Sequence, residues 1–297
     1  MIWAKVAVAA LAWLTATPLP QPRTEVGAAV LRGEIVVVGG LTAEGVASAR
    51  ADAFAPGTGR WRRLPDVPVA VHHPLVASGG GSVYVAGGYG GRLGAGDRLR
   101  SVFAFDGVRW RALPRMPEPR AAGGAAVVGG RLYVVGGVGA TGLARQAFAL
   151  DLFTNRWSVV PAPTPREHLA VTSAGGRIYA LGGRRAGYDT NVAVFESWQP
   201  GAKRWRRLPD VPRARGGTGA AVAAGHLVSV GGEEPAGTIG SVYAWGLARG
   251  GWRRLPDLRT PRHGLGVVAV GTRVYAIGGG PTPGLAVSGA DEYLDLK

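Results

Sequence analysis

The stretch Ala125-Ala126-Val127-Val128-Gly129-Gly130-Arg131-Leu132-Tyr133-Val134-Val135-Gly136-Gly137 reads as two short apolar strands, a tight turn between them and a glycine doublet at the end. β-branched and aromatic residues favour the extended chain. Gly129-Gly130 supplies the positive φ that a two-residue hairpin turn requires. The pattern is one of six. Doublets after aliphatic runs stand at Gly39-Gly40, Gly87-Gly88, Gly136-Gly137, Gly182-Gly183, Gly231-Gly232 and Gly278-Gly279, at intervals of 48, 49, 46, 49 and 47 residues. After each doublet come a variable loop and a third strand around Phe54, Phe103, Phe148, Val194 or Tyr243. A fourth strand follows at Trp61, Trp110, Trp157, Trp205 or Trp252. Six units of four antiparallel strands predict an all-β, six-bladed propeller.

Composition agrees. The 297 residues hold 50 Gly and 21 Pro without a Gly-X-Y period, which means many tight turns between short strands. With 46% hydrophobic and 18% charged residues the chain can bury a core, which excludes disorder. The absence of Cys excludes disulfides, thiolate metal sites and Cys nucleophiles. Net charge is +15, but only Lys5, Lys203 and Lys297 among the 34 basic residues are lysine, and no basic run occurs. That pattern argues against nucleic acid and for solubility and attraction to anionic surfaces.

The aliphatic-Tyr-aliphatic-Gly-Gly strand end, the Trp about twenty residues on and the Leu-Pro-x-x-Pro-x-x-Arg exit resemble Kelch repeats over nearly the whole chain. Units three to six also resemble stand-alone bacterial Kelch proteins labelled galactose-oxidase-like. The recurrent Trp and the aromatic seven residues before it (Phe54, Phe103, Trp198, Trp245) are expected between blades.

The sixth unit ends after Glu292-Tyr293-Leu294-Asp295 without its Trp strand, whereas Trp13, Pro18, Pro20, Pro22 and Arg23 track Trp157, Pro161, Pro163, Pro165 and Arg166 within one residue. The N-terminal segment around Trp13 is therefore expected to close the ring and remove two exposed edges. Residues 1–12 read as a leader segment and 13–297 as one propeller. Secretion or a periplasmic location follows from that leader, a cytoplasmic location from its alternative use as chain; the apolar run is too short for a stable membrane span.

The segment leading into each innermost strand concentrates the polar residues. Ten residues after the Trp stand Arg23, Arg120, Arg215 and Arg262, and nine after it Arg166; only Val71 breaks the series. The next two positions hold Glu25, His72, His73, Glu167, His168 and His263, and the facing loops add Arg184 and Glu233. Arg and His around a concave opening suit an anion, because Arg reads carboxylate or phosphate bidentately. In Kelch domains that bind acidic peptides, arginines at this position contact the ligand, so the resemblance implies a site at Arg120, Arg166, Arg215 and Arg262. The alternative is that the Pro-Arg exit belongs to the repeat and its guanidinium bonds loop carbonyls.

A three-His metal site is set aside because His263 lies one residue after its Arg and His168 two after, so strand alternation sends them apart. No metal or cofactor is assigned. Copper oxidase chemistry lacks its Cys, no Gly-x-Ser-x-Gly elbow occurs, and Tyr89 to Gly96 lacks the Gly-Lys-Ser/Thr of a phosphate loop. The expected function is a non-catalytic, monomeric module for an anionic peptide, glycan or protein partner. The alternative is a sialic-acid mutarotase-like enzyme, with Glu25, Glu167 or Glu233 and His73 or His168 as acid and base.

Overall fold

Gly129 and Gly130 turn the chain at φ of 56° and 72°, and strands Gly124–Val128 and Arg131–Val135 run antiparallel on either side, with Val128 opposite Arg131. Ala147–Asp151 and Arg156–Val160 complete a four-stranded blade. The computed structural model describes residues 11–297 and repeats this sheet six times. The leader expected over residues 1–12 falls outside the described residues except for Leu11 and Ala12. The innermost strands are Gly27–Leu31, Leu75–Gly79, Gly124–Val128, Ala170–Ala174, Gly219–Ala223 and Gly266–Val270. Each touches the innermost strands of both neighbouring blades, the last one meeting the first.

The ring closes through the N-terminus. Leu14–Thr15 pairs antiparallel with Asp291–Asp295, Leu14 opposite Tyr293 and Thr15 opposite Glu292, and becomes the outer strand of blade six. Trp13 is buried beside it and its indole N–H donates to the Pro256 carbonyl at 2.9 Å. The same latch recurs around the ring: Trp110 to Pro65, Trp157 to Pro114, Trp205 to Pro161, Trp252 to Pro209 and Trp61 to Thr17. The Trp and the Leu-Pro exit thus belong to one device, which ties each outer strand to the blade before it.

The core consists of layers between blades. Leu75, Ala86 and Val102 of blade two, for example, pack with Ala125, Leu132 and Leu150 of blade three. A twisted sheet of this size cannot bury both faces alone, and facing sheets supply the missing contacts. In blade two the fully buried ring is Phe105, 4.9 Å from Trp110, and not Phe103, which is half-buried.

Each doublet is the joint with the following blade. The N–H of the second glycine donates to a carbonyl there: Gly88 to Arg120, Gly137 to Arg166, Gly183 to Arg215, Gly232 to Arg262, Gly279 to Arg23 and Gly40 to Val71. At Gly87 a Cβ would lie 2.0 Å from the Arg120 carbonyl oxygen, which is why this position is glycine.

Candidate functional site

Three consecutive residues lead into each innermost strand: Arg23-Thr24-Glu25, Val71-His72-His73, Arg120-Ala121-Ala122, Arg166-Glu167-His168, Arg215-Gly216-Gly217 and Arg262-His263-Gly264. The expectation that the first of them lines the channel mouth is corrected by the structure. Arg23, Arg120, Arg166, Arg215 and Arg262 are fully buried, and their guanidinium groups turn back into their own blades. Each donates to the carbonyl of its blade's first doublet glycine: Gly39, Gly136, Gly182, Gly231 and Gly278. The reading in which the Pro-Arg exit bonds loop carbonyls describes this arrangement.

Besides further backbone carbonyls, each arginine meets the second residue of the third strand. In blades one, four and six that residue is an acid, and Arg23–Asp52, Arg166–Glu196 and Arg262–Glu292 pair at 2.7, 2.6 and 2.7 Å. In blades three and five it is aromatic, and the Arg120 and Arg215 guanidinium carbons lie 4.9 and 5.3 Å from the ring centres of Phe148 and Tyr243. Blade two carries the apolar combination of Val71 and Phe103. Burial lowers the pKa of Arg23, Arg120 and Arg215 to about 10, so all three stay charged. These side chains are staples for the doublet, not ligand contacts.

The third position forms the axial ring. Glu25, His73, Ala122, His168, Gly217 and Gly264 share a left-handed backbone, with φ of 53°, 52°, 52°, 52°, 65° and 58°. Their backbones hand hydrogen bonds around the axis: His73 N–H to the Glu25 carbonyl, Ala122 to His73, His168 to Ala122, Gly217 to His168 and Gly264 to Gly217. A cavity of about 90 Å³ lined from all six blades, including Glu25, His73 and His168, lies at this level. Above it a cavity of about 290 Å³ opens toward the variable loops, lined by His72, His73, Tyr89, Leu93, Gly94, Gly96, His168 and Arg184.

One polar network joins these groups. His73 Nε2 lies 2.9 Å from His168 Nε2 and 3.1 Å from Glu25 Oε2. His72 Nδ1 lies 2.6 Å from His73 Nδ1, and His72 stacks on Tyr89 with ring centres 5.2 Å apart. Arg184 donates to Glu167 Oε1 at 2.9 Å, to Glu233 Oε1 at 2.7 Å and toward His168 Nε2 at 3.0 Å. His263 Nδ1 lies 3.2 Å from Glu25 Oε1 and 3.6 Å from Glu233 Oε2.

Electrostatics follow from burial and pairing. Burial pushes the His73 imidazole down to about 3 and that of His72 to about 4 against the pull of Glu25, so both are neutral at pH 7. Burial works against the Glu25 carboxylate, yet His73, His263 and His168 hold it well below the usual range. Glu167, likewise opposed by burial, is brought to about 2 by His168 and Arg184. His263 is raised despite burial, because Glu25 and Glu233 face it. Neither Glu25 nor Glu167 is pushed toward neutrality, as a carboxyl acid in sugar ring-opening would be.

Of the predicted site residues, Glu25, His73, His168, Arg184, Glu233 and His263 come together, and the five staple arginines do not join them. His263 and His168 do not meet directly, but Glu25 and Arg184 link both into one network. Tyr89 is the lining residue that the sequence reading took for plain loop. Its signal was its place two residues beyond the Gly87-Gly88 doublet start, where Arg184 and Glu233 stand in blades four and five.

The KLHDC2/KLHL20/DRC7 Kelch-repeats domain matches residues 73–279, and the Kelch motif matches residues 22–68. The F-box/kelch-repeat protein At1g16250 of Arabidopsis thaliana is 35% identical over 72 residues, 24% of this chain and 19% of that protein. The matched stretch therefore spans about a fifth of that relative.

Proposed function

We propose, from the premise that the chain belongs to the Kelch-repeat β-propeller family, that it docks a partner protein on its loop face, around the axial mouth, and favours acidic groups on that partner. Kelch propellers typically serve as protein-binding modules. The observation that carries the reading is the cavity of about 290 Å³ on the loop face, with Tyr89, Leu93 and three histidines on its walls. A pocket with an aromatic wall and a few fixed polar groups suits one inserted side chain. With the staple arginines buried, the preference for acidic partners rests on other residues. Arg98, Arg145 and Arg185 are exposed on the loops of blades two, three and four, and among the described residues no carboxylate forms an ion pair with them. The net charge of +15 adds a long-range field of the same sign.

The test is fluorescence anisotropy with a labelled Glu-rich peptide and a neutral peptide of equal length, on the intact protein and on Arg98→Glu with Arg185→Glu. Binding of the acidic peptide that weakens about tenfold in the variant and falls with added salt supports the reading. Equal affinity for both peptides, or an unchanged affinity in the variant, refutes it.

A further inference from the structure

The axial ring is uneven in a way its backbone does not require. All six positions need the left-handed conformation, and Gly217, Gly264 and Ala122 meet that need with small residues. Blades one, two and four instead carry Glu25, His73 and His168 there, at φ of 53°, 52° and 52°. Any residue with a Cβ is strained in this region, Ala122 included, so three polar side chains where two other blades use glycine mark conformations that the surrounding structure enforces. All three side chains converge. One donor atom from each lies within 4.8 Å of the others.

Hydrogen bonding leaves this cluster incomplete. Arg184 Nη2 donates toward His168 Nε2 at 3.0 Å, so that nitrogen carries a lone pair and the imidazole proton sits on Nδ1. His168 Nδ1 lies 3.2 Å from Glu167 Oε1 but finds no hydrogen-bond geometry there. His73 Nε2, 2.9 Å from the same His168 nitrogen, contests a lone pair already used. Two imidazole nitrogens and a carboxylate oxygen thus lie together with two donors aimed at a single His168 lone pair, one of which stays unmatched.

We propose that Glu25 Oε2, His73 Nε2 and His168 Nε2 form a three-ligand site for a divalent first-row transition ion on the propeller axis, with its open coordination side toward the mouth cavity. Two imidazoles and one carboxylate suit Zn²⁺ or a similar ion and not Mg²⁺ or Ca²⁺, which take oxygen. For ligand bonds of ~2.05 Å, donors at right angles stand about 2.9 Å apart and tetrahedral donors about 3.3 Å apart. The spacings of His73 to the other two, 2.9 and 3.1 Å, fall at that scale; Glu25 and His168, within 4.8 Å of each other, must draw together by about an ångström to share the ion. Glu25 and His73 also have outer partners that can orient them, and a carboxylate stands near the third ligand. His263 Nδ1 meets Glu25 Oε1, His72 Nδ1 meets His73 Nδ1, and Glu167 Oε1 stands beside His168 Nδ1. Arg184 Nη2 now occupies the cation's side of His168; Glu167 and Glu233 retain the guanidinium when the ion displaces that one contact. This site shares His73 and His168 with the wall of the mouth cavity, but its test reads metal uptake and does not depend on whether an acidic partner binds there.

The full chain, stripped with chelator, is titrated with Zn²⁺ by calorimetry and with Co²⁺ by visible absorption. The expected result is one equivalent of each ion, a Co²⁺ d–d band, and no uptake of Mg²⁺. His73→Ala and His168→Ala are expected to weaken Zn²⁺ by about 100-fold or more, at least the loss that follows removal of an outer partner. Both variants keep the fold, because Ala122 already occupies the equivalent position in blade three; an unchanged circular dichroism spectrum checks this. His226→Ala, at the opposite end of its blade, is expected to bind as the intact protein does. Absence of Zn²⁺ and Co²⁺ binding to the intact chain overturns the proposal, as does full affinity in His73→Ala or His168→Ala.

Discussion

Asp291→Ala is expected to make this propeller markedly less sensitive to rising pH. Asp291 opens the third strand of blade six, where the other blades have Ala51, Val102, Ala147, Phe195 and Val242. Its carboxyl is fully buried and neither oxygen has a hydrogen-bond partner. Burial raises its pKa from 3.8 to about 8, opposed by Arg262 and aided by Glu292. The native protein therefore keeps a proton between those two values that the unfolded chain releases. Stability from this group is complete below about pH 4, falls as pH rises through the window and levels off above about pH 8. At ~1.4 kcal/mol per pH unit the loss across the window is at most about 6 kcal/mol. Alanine removes the group without a foreign shape, since Ala51 and Ala147 stand at the same place. Urea unfolding of both proteins at pH 5, 7 and 9 gives the test. The variant should be close to the parent at pH 5 and more stable by several kcal/mol at pH 9. His263 titrates alike in both, so the difference isolates Asp291. Parallel stability profiles for the two proteins would refute the reasoning.

Three further outcomes follow from the joints between strands and blades. Arg166→Ala leaves Glu196 buried without its partner and is expected to cost about 3–5 kcal/mol. Arg120→Ala strands no acid and should cost less, so the reverse order in urea unfolding would show that the ion pair is not what matters. Trp13→Ala removes a buried indole that bonds Pro256 and holds the closing strand, with an expected loss of about 3–5 kcal/mol in thermal unfolding. The same change at half-buried Trp157 should cost less. Gly88→Ala places a Cβ 2.2 Å from Val71 Cγ2 at φ +92°, whereas at Gly33 (φ +82°) nothing lies within 4 Å. Gly33→Ala should therefore cost about 1–2 kcal/mol and Gly88→Ala clearly more, read as midpoint shifts.

Much of the fold was legible because its signals are local and repeated. A glycine doublet, an aliphatic run and a Trp at constant offset each report a backbone or packing need within one blade, and six copies in register leave little freedom. Trp13 was legible as the closing residue for the same reason: its Pro and Arg offsets match those of Trp157. The staple role of the arginines was only half legible. Their partners Asp52, Glu196 and Glu292 lie about thirty residues downstream, and Phe148 and Tyr243 fill that place in other blades, so no single acidic signature runs through the repeat.

The sequence by itself determined the number of blades, the order of strands and the segment that closes the ring, since each follows from short-range periodicity and from sterics that only glycine relieves. Tertiary structure decided which polar side chains face the axis. Strand alternation assigns Arg262, His263 and Gly264 to opposite sides in turn, but the residue two positions before each innermost strand is left-handed, and that turn resets the direction of its neighbours. The arginines are thereby folded inward onto the doublet carbonyls, while Glu25, His73 and His168, from blades one, two and four, are brought to a single point on the axis.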